Sequence, residues 1–96
     1  MTVEQTLSGK REEILRIAAE PGARNVRLFG SAVRGEATDG SDLDFLVEME
    51  PGRSLMDIVA LRNDLIDLLG REVDVVTESG LYWLLRRKIL REARSL

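Results

Sequence analysis

Ninety-six residues, 44% apolar and 32% charged, allow one small domain (residues 1–96) with a single modest core. The chain has no Cys and no His, which excludes a disulfide framework, a thiolate nucleophile and a Cys/His zinc site, and leaves acid–base work to carboxylates, Lys or Tyr. A net charge of −3 argues against general nucleic-acid binding, and without a membrane-length apolar run or an apolar leader the chain reads as cytoplasmic.

Residues 3–20 carry an apolar side of Leu7, Ile14, Leu15 and Ala18 and predict a first helix, with Thr2 and Gln5 at capping-box spacing and Gly9 as its weak spot. "PGAR" ends that helix, and "NVRLF" (25–29) predicts a first strand. "SAVRGEA" allows one or two helical turns, "TDGS" is loop, and "DLDFLVE" (42–48) is a second strand. After the turn "MEPGR", Ser54 and Asp57 open a helix whose stripe runs through Leu55, Ile58, Val59, Leu65, Ile66 and Leu69, with Gly70 closing it. "EVDVVT" (72–77) is a third strand, and a last helix covers about residues 81–94. The order α-β-α-β-α-β-α predicts an α/β (α+β) domain, a small three-stranded sheet packed by helices.

The chemistry concentrates in "LFGSAVRGEATDGSDLDFLVE" (28–48). Side chains two apart on a strand share a face, so Asp42 and Asp44 lie on one side and Leu43, Phe45 and Val47 on the other. Two carboxylates so close repel unless a cation lies between them, and Mg²⁺ is commonly held by carboxylates together with substrate phosphates. Gly30-Ser31, where the first strand meets a helical turn, offers close backbone approach and a hydroxyl to an anion, and Arg34 one turn on is placed to pair with a phosphate. For phosphates and metal to meet, the first two strands must run antiparallel. For Asp74 to join them, the third must run parallel to the second, with residues 49–71 as the crossover.

Gly-Ser followed by ten residues and "DLD" resembles the signature of nucleotidyltransferases of the DNA polymerase beta superfamily, most closely its minimal members, the antitoxins of HEPN toxins. The likeness extends over essentially the whole chain, including the element order. It implies a nucleotidyltransferase fold with a mixed sheet, and Mg²⁺ bound by Asp42 and Asp44. It further implies Asp74 as the third catalytic carboxylate, helping to hold the metal that activates the acceptor hydroxyl, and Gly30 and Ser31 as the triphosphate turn. The implied activity is transfer of AMP from ATP to a tyrosine hydroxyl on a HEPN partner.

Turn and cap chemistry accounts for Asp39 and Ser41 but not for an acid inside "LDFLV". The cations Arg86, Arg87, Lys88, Arg91 and Arg94 read as a solvated helix face. Tyr82 and Trp83 are adjacent and cannot both face a core, so one is a candidate protein contact, and a dimer suits so small a domain. Two other functions stay open on the residues: an antitoxin that neutralises by binding alone, and transfer to a small molecule.

Overall fold

A computed structural model describes residues 3–36, 40–81 and 83–96. Helices α1 (Val3–Gly9) and α2 (Arg11–Ala19) lead into strand β1 (Ala23–Phe29), the short helix α3 (Ser31–Arg34) and strand β2 (Leu43–Met49). Helix α4 (Leu55–Leu69) crosses to β3 (Val73–Thr77). A 3₁₀ turn (Glu78–Gly80), helix α5 (Trp83–Glu92) and a two-residue strand β4 (Arg94–Ser95) complete the chain.

The sheet order is β3-β2-β1-β4. Strands β1 and β2 pair antiparallel and β2 and β3 pair parallel, as convergence of the aspartates requires. The sheet has four strands rather than three, because the chain leaves α5 and adds β4 antiparallel to β1. The expected last helix therefore stops at Glu92.

The predicted first helix divides at Lys10, next to Gly9, a residue that gives a helix no packing contact and extra backbone freedom. Strand β1 begins two residues earlier than predicted and carries an irregularity between Arg24 and Arg27, where Asn25 takes a left-handed φ of 49°. Strand β2 starts at Leu43, leaving Asp42 just ahead of it. Thr2, Asp39 and Tyr82 lie outside the described residues.

Alternation along β2 divides the sheet into two chemistries. Leu43, Phe45 and Val47 enter a core with Ile14 and Ala18 of α2, Val26 of β1, Leu61 and Leu65 of α4 and Val73 of β3. Asp44, Leu46 and Glu48 point to the other face, where Leu46 is also fully buried, in register with Arg27. The Arg27 Nη1 donates to Glu78 Oε1 at 2.7 Å, tying β1 to the 3₁₀ turn.

Helix α4 opens as its sequence predicts, with Asp57 Oδ2 accepting from the Ser54 N–H at 2.9 Å, and closes on Gly70 at a φ of 67°. Its stripe is displaced, however. Leu61 and Leu65 are buried, whereas Leu55 is 72% exposed and Val59 40% exposed, because the C-terminal part of α4 packs on the sheet and its first turn does not. No described helix is long and apolar enough to cross a membrane.

Phe45, with no exposed surface, stands at the centre of this core. Phe45→Ala is expected to cost about 3–5 kcal/mol of stability, read from denaturant unfolding; a loss under about 1 kcal/mol would contradict the assigned core.

Candidate active site

The predicted site residues gather at one end of the sheet. Asp44 is in register with Phe29 on β1 and with Asp74 on β3. Register partners in parallel strands point to the same face and lie about 4.8 Å apart between strands, so Asp44 and Asp74 stand side by side. Asp42, exposed, sits two residues ahead of Asp44. Among the described residues no three acidic side chains close into a ready-made cation cage; the acids form an open row.

Local hydrogen bonds hold this end together. The Leu43 N–H donates to the Glu72 carbonyl at 3.0 Å. Arg71 Nη2 donates to the Ser41 carbonyl at 2.6 Å, and Arg62 Nε to the Val73 carbonyl at 2.9 Å. These bonds fix where β2 and β3 begin, and so where their aspartates stand. Sequence reading missed Arg71, since an Arg ahead of a strand carries no distinctive signal.

Gly30 joins β1 to α3 with φ 77° and ψ −149°. Only Gly takes that conformation readily, and here it also makes room. A Cβ at this position would run into Asp44 Oδ2. The Gly-Ser turn and the Asp44 carboxylate are therefore in direct apposition, as the antiparallel pairing predicts. Ser31 opens α3 beside them, half-buried.

Burial, the Asp74 carboxylate and the Asp42 carboxylate, in that order, push the Asp44 carboxyl above its ordinary range. Arg34 pulls in the opposite direction, and Glu92 adds a further push upward. Arg34, which the sequence places to pair with a phosphate, is already paired with two carboxylates. Its Nη1 donates to Glu92 Oε1 at 2.5 Å and its Nε to Glu36 Oε2 at 3.2 Å. Glu92 is a site neighbour that sequence reading missed. The available signal was its being the single acid among the five bases of residues 83–94.

The donor set is all oxygen, the local field is negative, and Gly30 keeps the turn against Asp44. That combination fits a hard divalent cation such as Mg²⁺ carrying a phosphate. Among the described residues, Asp42 and Asp74 of the row are exposed and Asp44 is half-buried. A concavity of about 400 Å³ between α1, α3 and β4, lined in part by Leu7, Leu28 and Val33, contains none of these carboxylates. The basic residues Arg86, Arg87, Lys88 and Arg91 of α5 are exposed, as a solvated face should be, and Trp83 is 73% exposed.

Known proteins resemble this chain in sequence and fold. The model of the nucleotidyltransferase domain family matches residues 11–96. The protein adenylyltransferase MntA of Thermococcus cleftensis is 38% identical, over 94% of this chain and 88% of its own. A solved structure described as a minimal nucleotidyltransferase is 50% identical, superposes with a TM-score of 0.86, and is covered over 94% of its length by 96% of this chain. A crystal structure of a mutant MntA–HpeT toxin–antitoxin is 25% identical with a TM-score of 0.71, matched over 93% of this chain and 70% of that one.

A carboxyl held above its unfolded value stabilises the fold while protonated; that contribution is present below the ordinary carboxylate range and is lost as pH rises through the folded value. In metal-free buffer, Asp44→Asn is therefore expected to raise the melting temperature at neutral pH and to leave it unchanged in strong acid. A difference that does not vary with pH would contradict the burial and repulsion at Asp44. Gly30→Ala is expected to cost about 1–3 kcal/mol through backbone strain and displacement of Asp44, measured by denaturant unfolding, and a stability equal to wild type would remove the close apposition.

Proposed function

Because the chain belongs to the nucleotidyltransferase domain family, we propose that it transfers AMP from ATP to a tyrosine hydroxyl of a HEPN-domain toxin and so acts as that toxin's antitoxin. The single observation that carries the reading is Asp44, which packs against the Gly30 turn and stands in register with Asp74. One carboxylate thereby borders both a place for phosphates and a second carboxylate.

Each residue has a distinct part. Gly30 and Ser31 cradle the β- and γ-phosphates, with Arg34 beside them. Asp42, Asp44 and Asp74 would hold Mg²⁺, which when bound supplies charge neutralisation to the attacking and leaving oxygens. Asp74, exposed at the edge of the row, orients the incoming hydroxyl. The acceptor oxygen forms a bond to the α-phosphorus, the bond from that phosphorus to the bridging oxygen breaks, pyrophosphate leaves, and the hydroxyl proton is released. No covalent enzyme intermediate is needed, in keeping with a chain that has no Cys or His.

The openness of the site favours a macromolecular acceptor. Asp42 and Asp74 are exposed, so the carboxylate row faces solvent at both ends. A protein can bring its own walls. Protein adenylyltransferase activity in the name of a 38%-identical relative, and the toxin–antitoxin likeness, support the same acceptor class. The reading puts the reaction in the cytoplasm, where ATP is available.

Incubation with the HEPN-domain partner, ATP and Mg²⁺ is expected to add one AMP to the partner, seen by intact-mass spectrometry. The addition should disappear with Asp44→Asn and on chelation of the metal. A silenced partner in a stable complex without added mass would replace this reading with an antitoxin that acts by binding.

A further inference from the structure

We propose that Glu92 is a positioning residue that holds the Arg34 guanidinium beside the Gly30–Ser31 turn for the phosphates of the nucleotide. The inference rests on the proposed nucleotide site and adds to it a residue from the far end of the chain.

Arg34 leaves α3 with a long, rotatable side chain that is 43% exposed. Such a side chain loses rotamer freedom when fixed, and nothing on α3 alone would fix it. Glu92 does so across 58 residues of sequence, with Nη1 to Oε1 at 2.5 Å. Glu36 takes Nε at 3.2 Å. A planar fork caught at two nitrogens has a defined plane and direction, which is the condition for pairing with a phosphate oxygen.

Glu92 is itself firmly placed. Its side chain is only 16% exposed, so its charge needs a cation close by. The Ala93 N–H bonds the Ile89 carbonyl at 2.9 Å, and the Leu96 N–H bonds the Val26 carbonyl at 3.1 Å. Strand β4 then zips Arg94 and Ser95 onto Leu28 and Arg27. Arg94 Nη1 lies 3.2 Å from the carbonyls of Arg91, Glu92 and Ala93, wrapping the end of α5. Because β4 pairs with β1, and β1 runs directly into Gly30 and α3, the last turn of α5 is delivered to Arg34. An exposed ion pair between neighbours contributes little; a mostly buried carboxylate carried to one arginine by a dedicated strand serves placement.

Competition of Glu92 with phosphate for Arg34, and action of Glu92 independent of Arg34, each make a different forecast.

Calorimetric titration of the full chain with AMP-PNP and Mg²⁺ tests this with Glu92→Ala, Glu92→Gln, Arg34→Ala and the double variant Arg34→Ala/Glu92→Ala. Glu92→Ala is expected to weaken binding about tenfold, the scale of one charge-assisted hydrogen bond. Glu92→Gln, which keeps the acceptor oxygen, should recover part of the loss. The double variant should bind no worse than Arg34→Ala alone. Unchanged or tighter binding by Glu92→Ala overturns the inference, as does a Glu92→Ala loss that persists undiminished without Arg34. Absence of binding by the wild type would overturn the nucleotide site and this inference together, whereas wild-type binding that Glu92→Ala leaves intact overturns the inference alone. Should Glu92→Ala fail to fold, Glu92→Gln with and without Arg34→Ala completes the same cycle.

Discussion

Strand β2 lies between an antiparallel neighbour and a parallel one, and this mixed pairing controls where charge can sit in the domain. The antiparallel side brings the end of β1, and with it Gly30, to the start of β2. The parallel side brings the start of β3 to the same place. Asp44 is the residue at which both conditions meet. Its neighbours on the opposite face, Leu43 and Phe45, anchor the strand in the core, so the carboxylate cannot move away without moving that core.

Holding an acid there opposes folding. Asp44 is half-buried, faces two more carboxylates, and touches a backbone turn that accepts no side chain. Most of a domain's stability is a small difference between large terms, so a repulsive cluster of this kind is retained only with compensation elsewhere. The compensation is visible in the apolar face of the same sheet and in the arginine bonds that pin the strand starts.

The end of the chain plays a part out of proportion to its length. Two residues of β4 suffice to bind the sheet edge, because antiparallel pairing to β1 gives them immediate hydrogen-bond partners and Leu96 adds another. Through that pairing a helix with no buried residue of its own, α5, acquires a fixed end. Glu92 and Arg34, distant in sequence, become neighbours there. The basic outer face of α5 remains open to solvent, as does Trp83.

Local pattern carried much of this. Alternation in "LDFLVE", the capping residues Ser54 and Asp57, and Gly70 at the helix end each depend on near neighbours in the chain, and each appears where its sequence predicts. Strand directions were legible as well, because crossover length limits pairing, and the requirement that Gly30, Asp44 and Asp74 meet selected one arrangement. Gly9 signalled a weak point and became a break. What sequence could not reveal lies in contacts between distant segments. Which turn of α4 reaches the sheet decides that Leu61 is buried and Leu55 is not. Whether residues 94–95 form a strand depends on a free edge at β1. That Arg34 faces Glu92 depends on both. The sequence by itself determined the first three strands and the helices between them, the carboxylates and the glycine turn, since these follow from periodicity and residue type; only the tertiary structure decided the fourth strand and the partners of each group, because these are set by packing and hydrogen bonds across the chain.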